Sequence, residues 1–377
     1  MKLDDNNVAI SRWETYEVEE LKRIIKNQFN LLNIDGDYFK NKKVVLKPNL
    51  LAKRSPEKAV TTHPNLVQAV MSLLKDFGAN MIIAESPPGS YTEPVLREVY
   101  KASGFYESGL AMGAIFNYDT SFQILHNKKG VMAKSFDIIT PIMEADIIIN
   151  LCKLKTHALT KMTCGVKNLF GTMPGTKKFE MHARFANSKE FTEMLIDLCE
   201  GICNEKPVIT ICDGIVAMEG NGPSAGTPRK VSAILTSKNP FALDLACCEI
   251  INFGNSVEIV ESAKRRGLCP TSGNELNILG TQISELVVKD FKAPDSQKFS
   301  RMLKCIPPFL KPRPVINKAA CVGCEKCAKS CPVNIISMKD KKAYIKRKDC
   351  IRCFCCQELC PYKAVNIKSS FIYKLLK

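Results

Sequence analysis

The sequence contains no apolar run long enough to cross a membrane as a helix. A membrane span needs about 18 or more apolar residues, and the longest runs here, such as Ala145–Leu151, are far shorter. The first residues, Met1 to Asn7, lack the basic and then apolar order of a secretory signal. We therefore expect a cytoplasmic chain with its cysteines in a reducing environment, where a dense set of them indicates metal or redox chemistry rather than disulfides.

Several catalytic motifs are also missing. No G-x-G-x-x-G follows a predicted strand, and neither G-x-S-x-G nor H-E-x-x-H occurs. The segment Gly171–Lys177 is superficially like a phosphate loop, but its two glycines are one residue too close together and Thr176 precedes Lys177. The sequence thus gives no support for a Rossmann dinucleotide site, a P-loop nucleotidase, a serine hydrolase or a zinc peptidase.

Cysteine, in contrast, is abundant and unevenly placed. Of the 18 cysteines, nine are spread between Cys152 and Cys305, and nine lie within the 40 residues from Cys321 to Cys360. We expect the upstream nine to be structural thiols. Cys199 and Cys203, four apart on a predicted helix, illustrate this, because a free cysteine most often behaves as a small core residue.

The net charge is also unevenly distributed, and most of it lies in the same C-terminal part of the chain as the dense set of cysteines. From residue 301 onward, 18 Lys and Arg face 4 Asp and Glu, so this end carries a net charge of +14 out of the total of +16. Four prolines fall within Pro307–Pro314, which is typical of an extended linker. We predict a domain over residues 1–300, a linker over 301–314, a second domain over 315–368 and a terminal segment over 369–377.

Strand-like and helix-like runs alternate in the first 300 residues. The predicted strands are Lys43–Lys47, Met81–Ala84, Ala145–Leu151, Val208–Cys212 and Val231–Thr236. The predicted helices are Thr62–Phe77, Ser188–Cys203 and Pro240–Phe253. This alternation predicts an α/β fold with layered helices and a largely parallel sheet.

The cysteines of the second domain form a repeat. Cys321-x2-Cys324-x2-Cys327-x3-Cys331-Pro332 recurs 29 residues later as Cys350-x2-Cys353-x2-Cys356-x3-Cys360-Pro361. In this pattern three cysteines of one set hold a cubane, and the fourth cysteine of the other set completes it. The spacing predicts two 4Fe–4S clusters rather than paired zinc sites, which need no crossed fourth ligand.

The ligand assignment follows directly from the crossed pattern. One cluster is assigned to Cys321, Cys324, Cys327 and Cys360, and the other to Cys350, Cys353, Cys356 and Cys331. Cys355, beside Cys356, is interpreted as a spare buried thiol. Residues 315–368 thereby resemble the bacterial-type two-cluster ferredoxins, which implies a small α+β module.

The basic charge of this module favours an acidic redox partner, such as a ferredoxin or a flavodoxin. Lys341, Lys342, Lys346, Arg347 and Lys348 cluster between the two cysteine sets. A nucleic acid and a plain solvated surface are the alternatives, and the aromatic residues here do not interleave with the charges as a stacking platform would. The apolar residues near the end of the chain are too few to anchor it in a membrane.

Polar residues follow the predicted strands of the first domain. Because loops at the carboxyl ends of parallel strands meet at one edge, we expect Lys155, His157, Lys167 and Glu219 to form a site for a small anionic substrate. Each could equally be a loop or surface residue. Nearby lysines are expected to keep His157 neutral. His63 is more readily explained as a helix cap, and Asp244, on an apolar helix face, should have a hydrogen-bonding partner.

The same loops resemble the family called domain of unknown function 362. The matching segments are Lys47-Pro48-Asn49, Lys155-Thr156-His157, Lys167-Asn168-x-x-Gly171 and Asp213-Gly214 through Met218-Glu219-Gly220. The resemblance covers roughly residues 40–250, and a ferredoxin module fused behind it is a familiar arrangement of that family. The family's name implies no reaction.

The sequence therefore predicts an anaerobe-type iron–sulfur oxidoreductase that moves electrons between a partner and a substrate held by the α/β domain. Two alternatives stay open. One is an electron carrier whose first domain only docks partners, and the other is a redox-sensing protein that binds nucleic acid.

Overall fold

The computed structural model describes residues 5–51, 55–296 and 312–368. Its strands are β1 (Asn7–Arg12), β2 (Lys43–Pro48), β3 (Asn80–Ile83), β4 (Ile115–Phe116), β5 (Phe122–His126), β6 (Ser135–Ile139), β7 (Ile147–His157), β8 (Lys161–Thr163), β9 (Val208–Glu219), β10 (Thr227–Ser237), β11 (Asn277–Gly280), β12 (Arg313–Ile316), β13 (Ile336–Lys339), β14 (Lys342–Ile345) and β15 (Val365–Lys368). Its helices are α1 (Val18–Leu31), α2 (Pro64–Asp76), α3 (Glu93–Lys101), α4 (Tyr106–Ala111), α5 (Thr140–Met143), α6 (Gly165–Asn168), α7 (Gly175–Arg184), α8 (Ser188–Glu205), α9 (Pro240–Ile250), α10 (Glu258–Arg265), α11 (Lys326–Lys329) and α12 (Cys355–Glu358).

One large mixed sheet organises the first domain. Its strand order is β11-β1-β10-β9-β7-β2-β3-β4, with β8 paired to β7 at the side. Strands β9, β7, β2, β3 and β4 run parallel to one another, whereas β10 is antiparallel to both of its neighbours. The prediction of an α/β domain with a largely parallel sheet is confirmed, and the antiparallel β10 adds a reversal that the pattern did not indicate.

Helices cover both faces of this sheet because the strands are apolar on both sides. Within β7, Ile148 and Cys152 pack with α8, α9 and α10, while Ile149 and Leu151 pack with α1 and α2 on the opposite face. Strands buried on both faces are typical of parallel sheets in α/β proteins.

Three of the longer helices, α2, α8 and α9, begin at a residue whose side chain caps the helix. The His63 side chain accepts a hydrogen bond from the Asn65 amide and Pro64 opens α2, so the predicted capping role of His63 is confirmed. Asn187 and Asn239 cap α8 and α9 in the same way.

Two strands, β7 and β9, extend by six or more residues beyond the carboxyl end of the predicted apolar run. β7 continues from Leu151 to His157, and β9 continues from Cys212 to Glu219. Lys153, Lys155 and His157 were expected in a loop after the strand, but they are strand residues and are buried. Their polar side chains find buried partners, so the strand does not have to end where the apolar residues end.

The C-terminal module, residues 312–368, repeats itself as its cysteines do. The helices α11 and α12 lie 29 residues apart, and each is preceded by a residue in the left-handed conformation, Glu325 (φ 60°) and Phe354 (φ 61°). β12 pairs with β15, and β13 with β14, all antiparallel. This is the small α+β module that the cysteine repeat implied.

The two parts of the chain are in contact. Phe354 packs in the same apolar cluster as the first domain's core, and the Ser224 hydroxyl donates to the backbone carbonyl of Glu358 at 2.7 Å. Most of the predicted linker and the whole predicted terminal segment, residues 369–377, lie outside the described residues. In the part of the chain that is described, no helix has the length and apolar character needed to span a membrane.

Candidate functional site

A cleft lies where the carboxyl ends of β2, β3 and β7 meet helix α12 of the C-terminal module. Its cavity volume is about 70 Å³, and it opens to solvent. Its lining residues are Asn49, Leu51, Glu85, Ser86, Pro88, Lys155, Thr163, Lys167, Asn168, Phe170, Gly171, Lys178, Phe179, His182, Pro223, Cys355, Glu358 and Leu359. The position is the one at which parallel α/β sheets ordinarily bind ligands.

Lys155 projects into this cleft from β7. Its ammonium group donates to Asn49 Oδ1 at 2.7 Å and to the Val60 carbonyl at 2.6 Å. The Asn49 side chain in turn donates to Asn168 Oδ1 at 2.9 Å. Burial, together with the charge of Lys167, lowers the pKa of Lys155 to about 7. Lys155 can therefore take up or release a proton near neutral pH.

Glu85 lies between two buried lysines. Its carboxylate accepts from Lys47 Nζ at 2.6 Å, and both side chains are almost fully buried. Burial raises the pKa of Glu85, and the charges of Lys47 and Lys178 oppose that shift. Burial lowers the pKa of Lys178 to about 7 even though Glu85 acts in the opposite direction. The Lys178 ammonium also donates to the Ser86 carbonyl.

Gly171 is needed where the loop after α6 crosses this ion pair. A Cβ atom at Gly171 would lie 2.4 Å from Glu85 Oε1 and 2.6 Å from Lys47 Nζ. Only a residue without a side chain lets the backbone pass so close to the pair. This explains the glycine of the segment Lys167-Asn168-x-x-Gly171 in physical terms.

His157 lies behind the cleft and faces the C-terminal module. Its Nδ1 accepts from the amides of Leu159 and Thr160, so in the neutral ring Nε2 carries the proton. Nε2 lies 3.5 Å from Glu358 Oε2. Burial and the charge of Lys167 lower the pKa of His157 to about 4, so the ring is neutral at pH 7 as expected, with burial as the main cause.

Glu358 is the negative side chain of the cleft wall. Burial alone would raise its pKa, but the charge of Lys167 and the contact with His157 hold the pKa below its usual range. The carboxylate is thus ionised between a lysine and a neutral histidine. Its side chain is 13% exposed.

Two further polar atoms in the cleft wall are buried without a partner in the described structure. They are Ser86 Oγ and His182 Nδ1. The His182 ring is stacked on Phe191 at 4.2 Å, and burial lowers its pKa to about 3. Buried polar atoms are normally hydrogen-bonded, so both are candidates to contact a bound molecule.

The residues predicted as a site are only partly brought together. Lys155 and Lys167 line the cleft, and His157 adjoins it through Glu358. Glu219 is not among the lining residues. Its carboxylate accepts from the Lys292 amide at 3.1 Å and lies 3.6 Å from the Lys292 ammonium, so it holds the adjacent loop.

The sequence interpretation missed Lys178, His182 and Glu358. Lys178 and His182 are four residues apart on α7 and therefore share one helix face. Glu358 lies within the second cysteine set, two residues before Cys360, where the spacing indicates only cluster ligands. Asp244 has the partners that were expected, because it accepts from the amides of Gly165 and Val166.

The two cysteine sets each surround a cavity of their own. One cavity is lined by Cys321, Cys324, Cys327 and Cys360. The other is lined by Cys331, Cys350, Cys353 and Cys356. The fourth cysteine of each set therefore lies with the three cysteines of the other set. Four thiols around a cavity fit a cubane iron–sulfur cluster.

Cys355 is buried and lines the cleft, and its thiol also contacts that of Cys353, one of the cysteines of the second cavity. Its neighbour Cys356 lines the second cavity. One short helix, α12, thus separates the predicted site of the second cluster from the cleft.

Comparison with known proteins places the chain in a family. A family model described as domain of unknown function (DUF362) matches residues 44–249, and one described as 4Fe-4S dicluster domain matches residues 313–361. The thylakoid-associated protein sll1697 of Synechocystis sp. is 33% identical over 299 residues, which span 77% of this chain and 88% of that protein.

Solved structures give a more distant likeness. The lactate racemase apoprotein of Thermoanaerobacterium thermosaccharolyticum is 13% identical with a TM-score of 0.42, over 64% of this chain and 56% of that one. A structural-genomics target from Thermotoga maritima is 12% identical with a TM-score of 0.40, over 60% and 58%. This chain thus spans a little over half the length of either structure. By its family matches and its curated relative, the chain belongs to the DUF362 family and carries a C-terminal domain that binds 4Fe–4S clusters.

Proposed function

We propose that this protein is an iron–sulfur oxidoreductase that exchanges electrons with a small anionic substrate bound in the cleft. The observation that carries the proposal is the shared wall formed by α12. Cys355, Glu358 and Leu359 face the cleft, while Cys356, on the same helix, faces the second cysteine cavity.

The cofactors in this proposal are two 4Fe–4S clusters. Each cysteine cavity holds four thiols, and the crossed sets match the pattern of two-cluster ferredoxins. When bound, such clusters accept and release single electrons. The chain's own residues hold the substrate beside the second cysteine set, balance the negative charge of the substrate and exchange protons with it.

The cleft suits an anion because its cations outnumber its carboxylates. Lys155, Lys167 and Lys178 line it together with Glu85 and Glu358, while burial keeps the histidine rings beside it neutral at pH 7. A buried ammonium group gains most from an anionic partner, because water screens the attraction little there. Small dicarboxylates or other oxyanions are therefore the proposed substrate class.

The same lysines provide protons. The pKa values of Lys155 and Lys178 are lowered to about 7, the value at which a group can both donate and accept near neutral pH. We assign contact with the substrate to Lys155 and Lys167. His157 positions Glu358, and Glu219 holds its loop against Lys292.

A basic surface supports an acidic electron partner. Lys341 and Lys348 are exposed on the C-terminal module, and Cys324 of the first cysteine set is exposed as well. In this proposal, electrons enter at this first set from an acidic ferredoxin or flavodoxin of the cytoplasm and leave at the cleft.

The test is a screen under oxygen-free conditions. Reconstituted protein should contain about eight irons and eight sulfides. After reduction, its visible spectrum should return to that of the oxidised clusters when the correct anion from a panel is added. Lys155→Ala should abolish this reoxidation and leave the spectrum of the clusters intact. Lys189→Ala, at an exposed position on α8, is the matched control.

Two results would contradict the proposal. One is an iron content near four or less, with zinc in the cysteine sets. The other is reoxidation that proceeds unchanged in Lys155→Ala and Lys178→Ala. If no anion reoxidises the clusters while an acidic partner protein does, the chain is an electron carrier, an alternative favoured by the exposed Cys324.

A further inference from the structure

Four cysteines of the first domain meet in its core, away from the two cysteine sets of the C-terminal module. The Sγ atom of Cys164 lies 3.5 Å from that of Cys152, 3.3 Å from that of Cys212 and 3.6 Å from that of Cys247. The Sγ atoms of Cys212 and Cys247 are 3.7 Å apart. All four residues are at most 1% exposed.

These distances do not describe disulfides. A disulfide bond joins its sulfurs at about 2.0 Å, and every sulfur pair here is well beyond that. Four thiolates around a zinc ion at about 2.3 Å in a tetrahedron place neighbouring sulfurs about 3.8 Å apart. The distances of four of the six sulfur pairs, 3.3–3.7 Å, are within a few tenths of an ångström of that spacing.

The four side chains come from four separate elements. Cys152 is on β7, Cys164 immediately precedes α6, Cys212 is on β9 and Cys247 is on α9. The Sγ atoms of Cys152, Cys164 and Cys212 all lie within 4.8 Å of one another. Cys247 is outside that group of three and joins it through its contacts with Cys164 and Cys212. Distant segments of sequence thus converge on one point, which is unlike the chance contact of two neighbouring core thiols.

Two buried lysines lie near the thiols, and each is also paired with a carboxylate, Lys47 with Glu85 and Lys153 with Asp213. Lys47 interacts electrostatically with Cys152, and Lys153 interacts with Cys212. The Asp244 carboxylate, which contacts the Cys164 thiol, is held by the amides of Gly165 and Val166. The surroundings are otherwise apolar, as in closed sites that hold a metal for structure rather than for catalysis.

We propose that Cys152, Cys164, Cys212 and Cys247 bind one thiophilic metal ion, with Zn²⁺ as the ion that fits four cysteines in a closed tetrahedral site. Thiolates select such ions over hard cations such as Mg²⁺. Four of the upstream cysteines are then ligands, not the structural thiols expected from the sequence.

The metal ion would fix the position of α6, which forms part of the cleft wall, relative to the sheet. Cys164 directly precedes α6, which carries Lys167 and Asn168 into the cleft. Joining Cys164 to β7, β9 and α9 fixes the start of α6 relative to the sheet. The site is independent of the proposed reaction, since it touches neither the substrate nor the clusters.

The direct test is X-ray absorption at the zinc edge of full-length protein that was expressed with zinc, reconstituted with iron and sulfide and washed with EDTA. We expect about one zinc per chain, with four sulfur neighbours at about 2.3 Å. Because the measurement sees zinc only, iron in the clusters does not interfere, and no variant is needed.

Variants then locate the ion. Cys164→Ser should lose the zinc and keep the iron, whereas Cys324→Ser should lose iron and keep the zinc. Cys199→Ser, which alters another buried core thiol on α8, is the matched control and should keep both metals. Cys247→Ser provides a second ligand variant if Cys164→Ser does not fold.

The proposal is overturned by wild-type protein that holds no zinc after expression with zinc. It is also overturned if the zinc has nitrogen or oxygen neighbours, or if it disappears in Cys324→Ser and persists in Cys164→Ser. The last result would place zinc in the ferredoxin-type sets.

Discussion

The Glu358 carboxylate of the C-terminal module lies 3.5 Å from Nε2 of His157, a residue of the first domain's central sheet. The two parts of the chain therefore share one electrostatic site. The negative charge of Glu358 raises the pKa values of Lys155 and Lys178, which are otherwise lowered by burial. A residue within the second cysteine set thus influences how the cleft holds protons.

Glu358→Gln should change anion binding in a way that depends on pH. Loss of the carboxylate lowers the pKa values of Lys155 and Lys178 below about 7, and it removes a negative charge from the wall. At low pH, where the lysines stay protonated, the variant should bind oxalate several-fold more tightly than the wild type. The pH at which binding fails should move downward, as measured by titration calorimetry.

Asp349→Asn is the control for Glu358→Gln. Asp349 belongs to the same module but is 43% exposed and pairs with Lys346 at the surface. Its replacement should leave oxalate binding unchanged at every pH. Equal pH profiles for Glu358→Gln and the wild type would show that Glu358 does not act on the cleft lysines.

Anion binding by the wild type should weaken as pH rises through 7. Lys155 and Lys178 have pKa values near 7, so both lose their charge as the pH increases from about 6 to about 8. Oxalate is a suitable probe because it stays a dianion over this range. We expect the affinity for oxalate to fall at least tenfold. Binding should also take up protons, and calorimetry in two buffers of different ionisation enthalpy detects this uptake.

Lys155→Met should reduce this proton uptake, since only Lys178 remains to be protonated. Lys189→Met, at an exposed position, should bind and take up protons as the wild type does. Affinity that is constant from about pH 6 to about pH 8 would remove both buried lysines from the binding site.

Gly171→Ala should destabilise the first domain and disable the cleft. The new Cβ would lie 2.4 Å from Glu85 Oε1 and 2.6 Å from Lys47 Nζ, so these buried side-chain ends must shift, and we expect the shift to break their ion pair. Breaking a buried pair costs about 3–5 kcal/mol, and we expect a loss of this size in the free energy of unfolding measured with urea. Gly273→Ala, whose Cβ would meet the flexible side chain of Glu249, should cost less than about 1 kcal/mol.

The fold was largely predictable because the strands of the sheet are strongly apolar runs between helical segments. The ends of β7 and β9 were not predictable. Lys153 and Lys155 look like loop residues, yet they continue a buried strand because Lys153 pairs with Asp213 at 2.8 Å and Lys155 bonds Asn49 and the Val60 carbonyl. Such partners are distant in sequence, so a local pattern cannot reveal them.

The site was predictable only in part for the same reason. The strand ends indicate Lys155, and the segment Lys167-Asn168-x-x-Gly171, which follows soon after β7, indicates Lys167, because parallel strands bring their ends together. Lys178 and His182 lie on α7, and Glu358 lies in another module, so their approach depends on how the helices and the module pack. The meeting of Cys152, Cys164 and Cys212 likewise depends on strand pairing that spacing alone does not encode.

His182→Phe should make the protein more stable and also less active. The His182 ring is stacked on Phe191, so a phenyl ring fits the same space, and the unpartnered Nδ1 atom disappears. A buried polar atom without a partner costs about 1–3 kcal/mol. We therefore expect a higher free energy of unfolding at pH 7, together with loss of anion-dependent reoxidation if Nδ1 contacts the substrate.

The effect of His182→Phe on stability should grow in acid. The folded pKa of His182 is about 3 and its ordinary value is 6.5, so the unfolded chain binds more protons between these values and the wild type loses stability as pH falls below 6.5. Near pH 5 this loss amounts to about 2 kcal/mol, and the variant should not show it. His126→Phe, at an exposed position on β5, should keep the acid sensitivity of the wild type. A His182→Phe protein that is less stable, or equally acid-sensitive, would mean that the ring has a polar partner in solution.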